Sequence, residues 1–369
     1  MSRLTRVLTR NTDTVFGNTL SNPDVLFGKS GVNMSIFEEM LQDAHIYAKL
    51  EQLKDMVYAM QWDVRPADTG SESAGAAAFV KDCLSTLGIK QLLQDMMMAV
   101  EYGFSVVEVV WRETDGVWLP ERALGRRPDR FSFTADGLLA LKDGITSIPL
   151  EEEYKFIVHR NSPKNENPYG TPVLSKCYWP WMFKKAGFRY WLTVAEKYGV
   201  PTVLALFDSI DDADSRARAK ELAENLYNIQ SDAAVALANV DSVQVLETKG
   251  TSKDFYDLIQ ICNTEISKAI TGEILTSDTS VNGSYSLAQQ HLETLRMKSV
   301  KMARAISETL TGTLVKWITE LNFADAPVPH FVLDFTAEAE WDVIKDALEL
   351  GFSVDKDEVA KRFGIPLEK

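Results

Sequence analysis

Between Thr171 and Gly199 the chain encodes one helix with more large rings than a single face can bury. Thr171 is placed to cap it, Pro172 stands at its first position, and Gly199 ends it with Pro201 close behind. Within it lie Tyr178, Trp179, Trp181, Phe183, Phe188, Tyr190 and Trp191, spread around the circumference, and Pro180 inside is expected to kink it. Dense aromatics usually mean core. Rings on every side of one helix exceed what one side of a core covers, and packing against a second copy of the chain accounts for the surplus.

The 369 residues point to two or three packed units. No run of about 18 apolar residues is present, so no membrane partner is expected. The opening MSRLTRVLTR carries Arg3, Arg6 and Arg10 with no apolar stretch or cleavage site behind them. It reads as a frayed terminus or a basic arm and not as a secretion signal. Cys83, Cys177 and Cys262 are widely spaced in apolar helical contexts, which argues against a disulfide framework and for a reducing compartment. The net charge is −14, from 53 acidic and 39 basic residues. A protein that grips phosphates shows a basic stripe, so tight DNA binding is not expected. An acidic surface past which DNA slides without sticking is compatible with this balance.

Periodicity describes an α+β, helix-rich chain. Residues 1–35 read as irregular. A helical stripe of Ile46, Leu50, Leu53, Val57 and Met60 runs through 35–61, and a short strand then ends at Pro66. Residues 69–79 read as a loop leading into a helix at 76–87, and a second helix covers 89–102. After Gly103 the period becomes two, with a strand at 104–111, an Asp115-Gly116 hairpin signal and a return strand from Trp118. Short strands follow near 130–134, 138–142 and 155–160. Beyond the aromatic helix come a strand at 202–207, a charged helix at 211–230 and one or two strands within 233–246. Ser252 caps a helix at 253–271 whose stripe is Phe255, Leu258, Ile259, Cys262, Ile266 and Ile270. Residues 272–284 are small and polar. A helix about 55 Å long follows over 285–321, with Ala303, Ile306, Leu310, Leu314, Trp317 and Leu321 as its stripe and a bend expected at Gly312. The tail holds a Pro-rich strand at 328–335 and two short helices.

No catalytic constellation emerges. Gly28-Lys29-Ser30 looks like the end of a phosphate-binding loop, but Pro23 stands where that loop needs glycine. His45, His159, His291 and His330 have no metal-ligand spacing, and neither metal nor cofactor is expected. His159, at a strand end, reads as a hydrogen-bonded edge histidine. Glu151-Glu152-Glu153 and the group Asp211, Asp212 and Asp214 read as a solvated turn and an acidic first helical turn, with a divalent-ion site as the alternative. Arg296, Lys298, Lys301 and Arg304 form a basic segment, three of them sharing part of one helix face. It is either a solvated or ion-paired face, or a ring of positive charge toward DNA. The tail has helix-turn-helix spacing, but Asp355, Asp357 and Glu358 sit where a DNA-reading surface would be basic.

Four blocks carry a family resemblance. MMMAVEYGFSVVEVVW (96–111) with RRPDRFSF (126–133), and HRNSPKNENPYGTPVLSKCYWPWMFKKAGFRYWLTVAEKYGVP (159–201), resemble the Mu-like prophage portal family. So does GTSKDFYDLIQICNTEISKAITGEILTS (250–277), followed by SYSLAQQHLETLR. IYAKLEQLKDMVYAMQWDVRP (46–66) matches the helix-then-strand entry shared more broadly by portal proteins. The combination YGTPVL, YWPW and EKYGVP is the specific part, and the likeness runs from about residue 36 to 366.

The resemblance implies a portal fold: an N-terminal arm (1–35), a wing (36–171), antiparallel stem helices (172–199 and 251–271) around an α/β clip (200–250), a tunnel loop (272–284), a long kinked channel helix (285–322) and a C-terminal wing or short crown segment (323–369). Family members often continue well beyond the last residue here, so the crown is expected to be reduced or absent. The implied role is structural and not enzymatic. The chain would form a ring, by analogy a dodecamer, at one capsid vertex of a tailed bacteriophage, through which double-stranded DNA passes without sequence specificity. Implied partners are the terminase large subunit, the head–tail connector and the major capsid protein; the implied location is the virion, and the host cytoplasm during assembly. Carried onto residues, Thr276, Ser277, Asp278, Thr279, Ser280, Val281, Asn282, Gly283 and Ser284 would face DNA from the tunnel loop, and Arg296, Lys298, Lys301 and Arg304 would charge the lumen. Tyr178, Trp179, Trp181, Phe183, Phe188, Trp191, Phe255 and Ile259 would form stem and subunit contacts, and Asp211, Asp212, Asp214, Arg216, Arg218 and Lys220 a docking surface on the clip. Rival readings are another neck ring such as an adaptor, usually much shorter, and a metal-dependent nucleic-acid-processing enzyme, for which no spaced carboxylate motif is present.

Overall fold

The computed structural model describes residues 15–16, 19–24, 26, 34–143, 146–165, 167–198, 202–206, 213–228, 242–246, 252–272, 285–334, 344–346, 348–351 and 353. Two compact units emerge, residues 1–178 with 267–369, and residues 179–266. The first begins with strands β1 (Val15–Phe16) and β2 (Thr19–Leu20), helices α1 (Ser35–Met40) and α2 (Ala44–Tyr58), and strand β3 (Gln61–Arg65). Helices α3 (Ser71–Leu87), α4 (Ile89–Met97) and α5 (Ala99–Tyr102) come next. Strands β4 (Phe104–Thr114), β5 (Val117–Arg126), β6 (Phe131–Thr134), β7 (Leu139–Asp143), β8 (Thr146–Pro149) and β9 (Phe156–Arg160) follow. Helix α6 (Leu174–Tyr198) leads into the second unit, which holds β10 (Thr202–Leu206), α7 (Ala213–Asn228), β11 (Ser242–Leu246) and most of α8 (Ser252–Ile270). The chain ends its described course with α9 (Tyr285–Leu310), a π-helical turn (Thr311–Val315), α10 (Lys316–Asn322) and β12 (His330–Asp334). The architecture is α+β and helix-rich.

Strand β4 organises the larger unit because both its faces are buried. Successive side chains of a strand point to opposite sides, so Val107 and Val109 enter one core while Phe104 and Val106 enter another. Its neighbour β9 sorts Ile157 and Val158 in the same way. The first core is closed by α2, α3, α4, α9, α10 and the antiparallel pair β3–β12. The second is closed by β6 and β7 of a five-stranded sheet, ordered β1-β2-β6-β7-β8, where the rings of Phe104, Phe133 and Tyr169 meet edge-on at 4.9–5.8 Å. The Tyr169 hydroxyl donates to the Leu20 carbonyl (2.7 Å) and accepts from the Phe133 amide (3.3 Å), which satisfies a buried polar tip. At the β4–β5 hairpin, Asp115 and Gly116 take φ of 53° and 80°, the twist that two-residue turns require.

Several boundaries differ from the sequence reading. The helix expected over 35–61 is broken, because Asp43 starts a new one by accepting from the His45 and Ile46 amides. Most of the loop expected at 69–79 is helix: α3 begins at Ser71, where Asp68 accepts from the Gly70 amide and Ser73 Oγ accepts from the Asp68 amide. The 89–102 helix divides at Met98. Residues 15–20 are not irregular throughout, since β1 and β2 pair with each other and β2 adds to β6. β8 went unseen because it is largely exposed and ends in proline, so it has no alternation to read. Helix α6 begins at Leu174 and not at Pro172. Thr171 does not cap it, since its amide donates to the Asn161 carbonyl and its hydroxyl to that of Ser162. Pro180 lies inside α6, as the sequence places it.

At Gly312 the chain makes a π turn, which adds a residue to one helical turn and rotates the buried stripe onto Val315 and Ile318. Leu321, expected on that stripe, is only half-buried. Two glycines fix the approach to α6. Gly103 (φ 90°) and Gly170 (φ 64°) pack backbone on backbone, where a Cβ on Gly170 would collide with the Gly103 carbonyl.

Candidate assembly surfaces

Helix α6 places its rings as the sequence led one to expect, on more than one side. In the smaller unit Trp181, Lys184 and Gly187 form its buried stripe. Trp179 (60% exposed), Met182, Phe183, Phe188, Tyr190 (65% exposed) and Leu192 stand out from the remaining faces. Trp179 stacks on Phe183 at 6.0 Å and Phe188 on Trp191 at 6.4 Å, so neighbouring rings on this surface stack on one another. Helix α8 buries Ile259, Cys262 and Ile266 and exposes Tyr256, Leu258 and Ile261. A Cβ placed on Gly187 would lie 3.1 Å from Leu258 Cδ2, so glycine is what lets the two helices approach so closely.

Of the expected stem contacts, Trp179, Phe183 and Phe188 are exposed, Tyr178, Trp191 and Phe255 half-buried, and Trp181 and Ile259 buried. Met182, Tyr190, Leu192, Tyr256, Leu258 and Ile261 join the exposed surface without having been among those expected. For all but Leu258 the signal was spacing, since they lie off the stripe their helix buries; Leu258, expected on the stripe of α8, lies against Gly187 and is 38% exposed.

The charged candidates divide. In α7, Asp214, Arg216, Arg218 and Lys220 are exposed, with Arg218 Nε 3.4 Å from the Asp214 carbonyl. Asp211, Asp212 and the loop candidates Thr276 to Ser284 lie outside the described residues. The four basic residues of α9 do not act as one face. Lys298 turns to the end of α8, where its ammonium donates to the Ile270 carbonyl at 3.0 Å, a favourable place for a cation. Arg296, 4.0 Å from Glu293, shares an open groove with Met297, Lys301, Arg304 and Glu308.

Several buried polar groups are held by partners within the chain. His159 is hydrogen-bonded to Thr309 (2.9 Å), as its strand-end position suggested, and burial first, then the Arg160 charge, pull its pKa down to about 4. Lys54 and Glu101 form an ion pair at 2.6 Å. Burial works against the Lys54 ammonium, but the carboxylates of Glu101 and Glu51 outweigh it and hold its pKa above the ordinary lysine value. All three cysteines are free and buried. Among the described residues no group of three or more His, Cys, Asp or Glu is placed to hold a metal ion, and no helix is long and apolar enough to cross a membrane.

The sequence profile of the family described as "Portal protein of Mu bacteriophage" matches residues 34–365. The chain belongs to that family. The portal protein of Escherichia phage Mu is 21% identical over 341 residues, covering 89% of this chain. The chain spans 66% of that relative's length, just under two thirds. Among solved structures, a chain of the virion of a native gene transfer agent particle superposes with a TM-score of 0.64 at 12% identity, covering 90% of this chain and 93% of that one. A chain from the neck of a native gene transfer agent particle, computed with C12 symmetry, gives a TM-score of 0.61 with the same identity and coverage. These likenesses establish a shared fold.

Proposed function

We propose that this chain is the subunit of a closed ring, a dodecamer, at one capsid vertex of a tailed bacteriophage, through which double-stranded DNA is packaged and later ejected. The observation that carries this reading is the surplus of exposed rings on α6 and α8, an apolar surface that one copy leaves in water and a neighbouring copy would cover. Family membership and the fold shared with a C12 neck component support it.

In this reading residues 36–171 form the wing, the helices within 172–199 and 251–271 the stem, 200–250 the clip, 272–284 the tunnel loop, 285–322 the channel helix and 323–369 a C-terminal wing or short crown segment. The clip, with its charged helix α7, would dock the terminase large subunit and then the head–tail connector, and the wing would meet the major capsid protein. DNA would pass without sequence-specific contacts, past a subunit whose net charge is −14. No bond-breaking step is assigned to the chain. Its place is the virion, and the host cytoplasm during assembly.

Mass measurement with negative-stain imaging of the purified protein tests this. A particle of about 500 kDa, twelve copies of a 41.3 kDa chain, with a central channel is expected. A strictly monomeric species under all assembly conditions would overturn it.

A further inference from the structure

We propose that Lys298 is a positioning residue and not a lumen charge. With His45 it clamps the last turn of α8, and so fixes the point from which the chain enters residues 273–284. The clamp stands on contacts within the subunit; its bearing on DNA rests on the ring reading above.

The end of a helix creates the need. The last four carbonyls of an α-helix have no donor inside it, and where water is shut out each must find one elsewhere. At the end of α8, Ser267, Ile270 and Thr271 are 2%, 1% and 0% exposed. The Ser267 carbonyl accepts from the amides of Thr271 (2.9 Å) and Gly272 (3.2 Å) and from the Thr271 hydroxyl (2.9 Å). The Ile270 carbonyl accepts from the Lys298 ammonium (3.0 Å), a cation where the helix dipole favours one.

Both clamp residues come from elements remote in the chain. Lys298 belongs to α9, and His45 stands at the start of α2 with its Nε2 2.7 Å from Ser267 Oγ. Gly272 is fitted to this arrangement. Its φ is 85°, and a Cβ there would stand 3.0 Å from Lys298 Cε and 3.1 Å from Nζ. Glycine is thus required twice, by the backbone and by the lysine it admits. The clamped turn begins just past Ile266, where α8 passes from the smaller unit to the larger.

Two other basic residues of α9 differ. Lys301 and Arg304 are exposed and border the open groove, while Lys298 is half-buried and donates to a carbonyl of its own subunit. In the ring reading, a load that moving DNA places on 273–284 then passes through Ser267 and Ile270 into α2 and α9 without unwinding α8.

Two measurements on the full chain test this. In the first, an amine-reactive ester labels the native protein, and Lys298 should react at least about tenfold more slowly than in denaturant. In the second, amide exchange is followed at Thr271 and Gly272. Lys298→Met, of similar length but without a donor, should speed it at least about tenfold, while exchange at Ile306 and Leu310 stays as in wild type. Lys298→Arg, which restores a donor, should recover most of the protection. Labelling as fast in the native as in the denatured chain would overturn the clamp, and labelling decides the matter if Lys298→Met fails to fold. Exchange unchanged in Lys298→Met would also overturn it, as would exchange raised equally by both substitutions, which would make shape and not donation the cause. Both readouts concern contacts within one subunit. A protein that shows them without forming rings keeps the clamp and loses the ring reading; rings without them lose the clamp alone.

Discussion

Acidification is expected to weaken the larger unit through a single imidazole. His159 lies on β9, 3% exposed, with Nδ1 2.9 Å from Thr309 Oγ1. The Thr309 hydroxyl donates to the Ala305 carbonyl at 2.9 Å, which leaves the ring nitrogen as donor in the first pair and selects the neutral Nδ1–H tautomer. Burial, aided by Arg160, brings the pKa from 6.5 to about 4. Between those values the unfolded chain holds one proton more than the native one. The contribution is therefore complete above about pH 6.5 and is lost as pH falls toward 4, a change of roughly 3 kcal/mol at about 1.4 kcal/mol per pKa unit. Urea unfolding of wild type and His159→Gln from pH 8 to 4 isolates it, at protein concentrations where the midpoint no longer depends on concentration. Carboxylates titrate in both proteins and cancel in the difference. The stability difference should shrink by roughly 3 kcal/mol, almost all of it below pH 6.5. A difference that stays flat with pH would refute a buried neutral imidazole.

Three further outcomes are expected. Lys54→Met strands the carboxylate of Glu101, which is 4% exposed and whose Oε2 has no hydrogen-bond partner among the described residues. It should cost about 3–5 kcal/mol in chemical unfolding, most of it recovered in Lys54→Met with Glu101→Leu; a loss below about 1 kcal/mol would contradict the pairing. Gly312→Ala should raise stability by about 0.5–1 kcal/mol, because the position is exposed and a Cβ there meets nothing within 4 Å. A lower melting temperature would show that the π turn needs glycine. Burial pushes the Cys83 and Cys177 thiols up to about 11 and about 12, so iodoacetamide at pH 8 should label neither in the folded chain and both in denaturant. Rapid labelling without denaturant would refute their burial.

Local periodicity determined much of this protein. The stripe Ile46, Leu50, Leu53, Val57 and Met60 is buried throughout, and the Asp115-Gly116 signal marks a real hairpin. Each depends on residues a few positions apart within one turn or strand, which is why the sequence displays them. The excess of rings between 174 and 198 was equally legible, because counting them needs no neighbour. Which of those rings stay in water was decided by tertiary structure alone. Gly187 admits Leu258 and thereby selects the face of α6 that is covered, leaving Trp179, Phe183 and Tyr190 outside. The same holds for β3 pairing with β12 across more than 250 residues, for Lys298 turning from its basic neighbours to the Ile270 carbonyl, and for Gly170 closing on Gly103. Such contacts join positions remote in the chain, and their free energy exists only once the packed core has brought them together.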